Sequence, residues 1–425
     1  MEPPYEIESS PVTDNELVHW ARVASVSAMV SFSIPTFMTG IELFAGMSVK
    51  SALWALFIGA SLLTAIGGFM GWMGAKTRKS AYLLVNVAFG QRGASALNFF
   101  FSLSLIGWFG LNLDLFAASV NQVLFATLGQ GIDDWIIEGL AGALMIGTTL
   151  VGFGAINRLS VLLVPIMVAV AIGLAHIATT QMTLVSFIDQ QLPEGLSVSA
   201  GVSLIVGVII IGAIILPDIT RFSRQTSGGV HTAFWSYFVA QSLAMIIAGY
   251  AAVALLQNDI LSLLLAMGIG SWVLIVIVAG SWILNSLNLY SARLATSASL
   301  NVDREKTITL ALGALGTVAA FANILDYFID FLSILTAIFV PVAGIVAMDF
   351  ICFNRKAYFE QSSITQKVNW PAVVAWALGA FFAITAPLYS IPSLTSIAAL
   401  DAIFASASLY FVLMRWRDKA RHPSL

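Results

Sequence analysis

Side chains able to do chemistry are sparse in this 425-residue chain, and they gather in a few stretches. One is Ser104-Leu105-Ile106-Gly107-Trp108-Phe109-Gly110-Leu111-Asn112-Leu113-Asp114. Ser104, Trp108 and Asn112 recur at every fourth position, which places them on one face of a helix. An indole face can stack on a planar ring, and offset stacking contributes ~0.5–1.5 kcal/mol beyond area burial. Gly107 and Gly110 flank the Trp and leave room beside it for a flat ligand. The competing reading is an indole packed between helices, since this Trp lies too deep for an interfacial belt. A second stretch is Gly280-Ser281-Trp282-Ile283-Leu284-Asn285-Ser286-Leu287-Asn288. Its Ser281, Asn285 and Asn288 share one helix face. An Asn amide carries donors and an acceptor, which suits the edge of a heterocyclic base or an amide. Hydrogen bonding between helices is the competing use.

Acids form the third group. Glu42, Asp114 and Asp401 fall inside long apolar runs, where a charge is costly and usually functional. A carboxyl in low dielectric can carry a proton, which makes Glu42 and Asp114 candidates for proton handling. Exposure in an outward-facing vestibule is the alternative. Asp218 and Asp349 have Arg221 and Arg355 close by in sequence and are expected to be structural pairs. The four histidines, His19, His176, His231 and His422, show no metal-ligand spacing. Neither a serine elbow nor a phosphate loop is present, which argues against an enzyme.

The elements that must position these residues follow from composition. The chain is 59% hydrophobic and only 10% charged. A soluble domain carries roughly 25% charged residues, so the class is a polytopic helical membrane protein. A net charge of -3 leaves no basic footprint for nucleic acid. One cysteine, Cys352, excludes an internal disulfide and is expected as apolar filler. Apolar runs of about 20 residues, the length a crossing helix needs, give twelve spans. They lie near 22–45, 52–74, 94–127, 136–156, 159–179, 199–218, 232–256, 270–292, 307–322, 328–352, 369–388 and 392–414. With the N-terminus inside, every one of the 19 basic residues except Lys50 falls on the cytoplasmic side. Asp133, Asp134, Asp189, Glu194, Asp259 and Asp326 fall outside. That is the positive-inside bias, and it supports a multi-pass plasma (inner) membrane protein with both termini cytoplasmic. Residues 1–21 and 415–425 are then tails, and no removable signal peptide is expected.

Two spans are expected to be broken. Span one contains Ser31-Phe32-Ser33-Ile34-Pro35-Thr36 and then Thr39-Gly40; span six contains Gly207, Gly212 and Pro217. Pro35 lacks a backbone donor. Interrupted helices at corresponding positions of two halves point to a transporter site at their interface.

Several short stretches, in order, resemble the nucleobase–cation symporter family and its cytosine-permease branch. They are Thr39-Gly40, Gly74-Ala75-Lys76-Thr77, Phe89-Gly90, Ile106-Gly107-Trp108-Phe109-Gly110 and Asp218-Ile219-Thr220-Arg221-Phe222. Asn288-Leu289-Tyr290-Ser291, Pro341-Val342-Ala343-Gly344, Asp349-Phe350 and Val368-Asn369-Trp370 complete the series. The resemblance implies an all-α, leucine-transporter-like fold with discontinuous helices one and six. Residues 22–352 would be the transport core, with inverted repeats at 22–179 and 199–352 and two further helices at 369–414. It implies uptake of a purine, pyrimidine, hydantoin or related ring by alternating access, with Trp108 stacked on the ring. Ser104, Leu105, Asn112, Gly207, Ile209, Gly280 and Asn285 would surround the substrate. Met29 and Phe32 carbonyls with positions 283 and 284 would hold sodium.

The chain departs from the family at these positions. Leu105 stands where the branch has Gln, and Val208-Ile209-Ile210-Ile211 replaces an aromatic flanked by serines. Gly280 replaces an Asn, and Ile283 and Leu284 replace two threonines. Aliphatic side chains offer a hard cation no oxygen, so the sodium site is expected to be missing or remade. Coupling to sodium or to protons, through Glu42 or Asp114, both stay open. No cofactor is expected beyond the coupling ion. The partners are a small-molecule substrate and the bilayer, without nucleic acid or an obligate protein. A same-fold amino-acid, amine or amide transporter is the nearest alternative, and a channel is the alternative from another class.

Overall fold

The lack of water in a bilayer forces each span to satisfy its backbone internally, and the apolar runs accordingly become helices. The computed structural model describes residues 12, 17–31, 33–151, 153–190, 195–266, 272–300, 304–360, 366–389 and 394–421. Span one is split into α1 (Trp20–Ser31) and α2 (Ile34–Gly46), with Ser33 extended between them at φ -106, ψ 160. Pro35 sits in the first turn of α2, where its missing N–H costs nothing. Span two is α3 (Val49–Thr77), whose N-cap Ser48 accepts from the Ser51 N–H. Span three is α4 (Ala81–Leu128). Gly90, non-helical at φ 74, ψ 167, kinks this run and separates a short leading helical segment from the long one that follows, which begins close to the expected position 94. Spans four and five are α5 (Asp134–Val151) and α6 (Phe153–Gln181), followed by the short α7 (Leu184–Ile188). Span six comes in three pieces, α8 (Val198–Gly207), α9 (Ile210–Ile214) and α10 (Pro217–Thr220). Span seven runs through α11 (Gly228–Ala233), π-helical turns at Phe234–Gln241 and α12 (Ser242–Leu255); α13 (Ile260–Ala266) follows. Spans eight to twelve are α14 (Trp272–Leu300), α15 (Glu305–Phe321), α16 (Phe328–Cys352), α17 (Trp370–Leu388) and α18 (Ala398–Arg421). Among the described residues no strand occurs beyond one isolated bridge between Val18 and Ser223.

The packing is reciprocal. Span one lies on span seven (α2 on α12), and span six lies on span two (α8 and α9 on α3). Spans three and eight (α4, α14) pack side by side and antiparallel, with Ser299 Oγ donating to the Ser95 carbonyl at one end and Asn285 Nδ2 to the Phe109 carbonyl further along. Small residues allow these close approaches, as is usual where lipid provides no hydrophobic drive between helices. A Cβ on Gly40 would lie 2.5 Å from the Met245 carbonyl oxygen, and one on Gly71 would meet the backbone of Gly229 at 3.1 Å.

One end of the bundle gathers bases and several of the stretches that carried the family resemblance. Gly74 packs against Pro217, and Thr220 Oγ1 donates to the Gly71 carbonyl at 2.8 Å. Arg78 donates to the carbonyls of Arg221 and Ser223. At the Gly90 bend, Asn369 N–H donates to the Phe89 carbonyl at 2.9 Å, and Arg92 N–H donates to the Lys367 carbonyl at 2.8 Å. A Cβ on Gly90 would lie 2.9 Å from the Gln366 carbonyl oxygen. The short motifs are therefore the two halves of packing joints. The other end carries Asp133, Asp134, Asp189, Asp259 and Asp326, and Lys50 pairs there with Asp189 at 3.6 Å.

Two expectations are corrected. Asp349 does not pair with Arg355: its carboxylate accepts from Tyr410 Oη at 2.5 Å, Asn354 Nδ2 at 2.7 Å and Tyr358 Oη at 2.9 Å. Arg355 instead lies over the Phe350 ring, 5.5 Å from its centroid. Cys352 is exposed at the end of α16 rather than filling the interior.

Candidate substrate site

Trp108 is buried in the middle of α4, and its ring meets two phenylalanines of α16 edge-on. The Phe331 centroid is 5.2 Å away at 81°, and the Phe328 centroid is 6.5 Å away at 74°. The glycine-flanked space is occupied by neighbouring helices. A Cβ on Gly107 would lie 2.6 Å from the Phe331 ring, and one on Gly110 would lie 2.9 Å from the Gly316 carbonyl oxygen and the Ala319 Cβ. Gly107 lets α16 close onto the Trp and supply its aromatic walls, while Gly110 lets α15 approach the α4 backbone beside Phe109.

The break in span six joins the same corner. A Cβ on Gly207 would lie 2.1 Å from the Leu332 carbonyl oxygen, so α8 and α16 touch backbone to backbone. Leu332 adjoins Phe331 in sequence, which links Trp108 to the break. Carbonyls freed near a broken helix need other donors. Thr336 Oγ1 donates to the Ser203 carbonyl at 2.7 Å, and Gln241 Nε2 donates to the Ile205 carbonyl at 2.9 Å. Ile209, at the break, is buried at φ -129, ψ 1.

The remaining expected residues divide. Ser104 Oγ donates back to the Phe100 carbonyl at 2.8 Å, and Asn112 Nδ2 donates back to the Trp108 carbonyl at 2.8 Å. Asn285 cross-links spans eight and three through Nδ2 to the Phe109 carbonyl at 3.0 Å. Its Oδ1 and the Ser281 Oγ are buried with no hydrogen-bond partner. Leu105, Leu284 and Asn288 are half-buried. Phe32, the side chains of Met29 and Ile283, and the surroundings of Gly280 lie outside the described residues. Glu42 is half-buried on α2, and Asp114 is buried on α4 with Oδ2 accepting from the Leu325 N–H at 2.9 Å.

Sequence reasoning missed Phe328, Phe331, Gln241 and Glu138. The first two look like ordinary apolar residues of span ten. Gln241 is a lone amide in an apolar span, and its buried Oε1 lacks a partner. Glu138 was legible as an acid close behind Asp133 and Asp134, at the start of span four.

Comparison with known proteins places this geometry. Residues 12–407 match the family described as permeases for cytosine/purines, uracil, thiamine and allantoin. The chain belongs to this family. It is thus a membrane permease rather than an enzyme. The cytosine permease of Escherichia coli (strain K12) is 28% identical over 351 residues, which is 82% of each chain. The inward-facing structure of Mhp1 overlays with a TM-score of 0.79 at 17% identity, covering 97% of this chain and 95% of that one. Mhp1 in a closed conformation with bromovinylhydantoin, described as a nucleobase-cation-symport-1 family transporter, overlays with a TM-score of 0.76 at 17% identity. That overlay covers 97% of this chain and 96% of the other. A Na+-coupled sialic acid symporter gives 0.57 at 16% identity, covering 92% of this permease and 89% of the symporter. These likenesses establish the shared fold.

Proposed function

We propose that this permease imports a nucleobase or a related small ring compound by alternating access. The observation that carries the reading is the aromatic corner of Trp108, Phe331 and Phe328 beside the break in span six. A planar ring gains most from faces of this kind. Edge recognition would come from the unpartnered Asn285 Oδ1, Ser281 Oγ and Gln241 Oε1, which stand in for the amide absent at Leu105. Ser104, Asn112, Gly207, Ile209 and Gly280 would shape the pocket. The transport core would be residues 22–352, with spans eleven and twelve outside it.

Protons rather than sodium are the coupling ion in this reading. Leu284 is aliphatic, and a sodium site needs the oxygens that its family counterpart supplies. Asp114 and Glu42 are acids within the spans on the side of the acidic end. With the basic end in the cytoplasm of the cell, a proton would enter from the acidic end. Uptake of labelled purines, pyrimidines and hydantoins into proteoliposomes, with a sodium or a proton gradient imposed in turn, tests the reading. Accumulation driven by the pH gradient is expected. Dependence on sodium with no response to pH would overturn the proton assignment, and failure to take up any ring compound would overturn the substrate class.

A further inference from the structure

A cavity of about 560 Å³ opens at the acidic end, between the C-terminus of α4, the N-terminus of α5 and the turn after α15. Asn121, Asp133, Asp134, Trp135, Glu138 and Asn323 are among its lining residues, and no lysine, arginine or histidine is among them. Glu138 is only 1% exposed, yet it lines this cavity, and its Oε1 has no hydrogen-bond partner. The charged groups that face it are acids: Asp114 from α4 and Asp134 from its own helix. Asp326, on the turn before α16, faces Asp114 in the same cluster. Asp134 is engaged by Asn121 Nδ2 at 2.8 Å, and Asp114 by the Leu325 N–H at 2.9 Å. Glu138 is thus the buried carboxylate of the cluster with an oxygen left without a donor.

Neighbouring negative charges disfavour ionisation of a buried carboxyl, and a proton on Glu138 removes one charge and turns the unpartnered oxygen into a donor. We propose that Glu138, paired with Asp114, is a proton-binding site reached from the acidic end through this cavity. The site rests on the proton-coupled reading above and extends it by naming the second carboxylate and the route. The Asp114 bond to Leu325 connects the pair to the start of α16, the helix that carries Phe328 and Phe331 against Trp108. Proton occupancy is thereby wired to the substrate corner.

Two arms test the site on the full chain in lipid. In the first, infrared difference spectra are recorded while pH is stepped, with no substrate present. The wild type is expected to show a titrating protonated-carboxyl stretch that Glu138→Gln removes. In the second, proteoliposomes carrying Glu138→Gln are expected to lose accumulation driven by a pH gradient while keeping substrate counterflow. Glu138→Asp should restore part of the driven uptake. A carboxyl band unchanged in Glu138→Gln, or driven uptake retained by it, would overturn the site. If no ring compound is transported at all, the substrate reading falls, while the infrared arm still decides the carboxylate pair.

Discussion

Asp349 and Glu138 are both buried carboxylates, 0% and 1% exposed, at opposite ends of the same bundle. Around Asp349, Tyr410, Tyr358 and Asn354 each point a donor at the carboxylate. Asn369 extends the network by donating to Tyr410 Oη at 3.2 Å and to the Ala88 carbonyl at 2.6 Å, and Arg417 donates to Asn369 Oδ1 at 2.9 Å. Around Glu138 the charged groups are acids, and its Oε1 accepts from nothing. Burial alone does not distinguish the two; the donors do. An acceptor ringed by donors holds its place and ties spans three, ten, eleven and twelve together. An acceptor facing other acceptors needs something between them, and a proton is the smallest candidate.

The largest effect should come from breaking the satisfied member. Asp349→Ala strands two buried phenols and an amide, and loss of one member of such a buried network costs about 3–5 kcal/mol. Thermal unfolding in detergent should show a large drop in Tm, with Asp349→Asn losing less because it keeps an acceptor. Glu138→Gln should instead change stability by under about 1 kcal/mol, because the amide replaces a protonated carboxyl of the same size that no fixed donor holds. Equal losses in the two variants would dissolve the contrast between a joint and a proton site.

Next in size is the corner that joins them. Trp108→Ala removes the ring face, so affinity for a ring substrate should fall about tenfold or more, the equivalent of ~1.4 kcal/mol. Trp108→Phe should retain much of the binding. Isothermal titration or scintillation proximity binding reads both. An alanine variant with unchanged affinity would remove Trp108 from the site. Gly207→Ala places a methyl group against the Leu332 carbonyl and should cost about 1–3 kcal/mol by overpacking. Its Tm checks the close approach of α8 and α16.

The sequence made the fold legible because each span had to carry its own signature. Pro35 and Ser33 marked one broken helix, and Gly207 and Pro217 marked the other, through backbone chemistry that is local. The basic residues at one end were legible for the same reason. The site was less legible because its walls come from contacts that sequence does not encode locally. Phe328 and Phe331 are unremarkable apolar residues until α16 closes on Gly107. Asn285 read equally well as a ligand group or a helix cross-link, and its amide nitrogen took the second role while its oxygen stayed unpartnered. Asp349 was misassigned to Arg355 because nearness in sequence hid the phenols, one of which sits 61 residues away on α18.

The smallest effect concerns Lys79, a buried lysine of the basic end, which mirrors Glu138 with the opposite sign. Lys79 sits between α3 and α4, and its Nζ donates to the carbonyls of Glu360 at 2.6 Å and Ala357 at 3.5 Å. Burial lowers its pKa, and the Glu360 charge partly opposes the shift. The folded state therefore releases a proton below the ordinary lysine value of about 10.4, while the unfolded chain still holds it. Between the lowered pKa and that value the unfolded state binds more protons, so stability rises with pH across the window. Below the window the desolvated ammonium is a standing cost, softened by its two carbonyl acceptors. Lys79→Met has no proton to exchange. The Tm of the wild type should therefore gain slightly on that of Lys79→Met as pH is raised through the window. A wild-type Tm that stays level with, or falls relative to, that of Lys79→Met as pH rises would show that Lys79 is hydrated rather than held. It would then share neither the fixed partners of Asp349 nor the desolvation of Glu138.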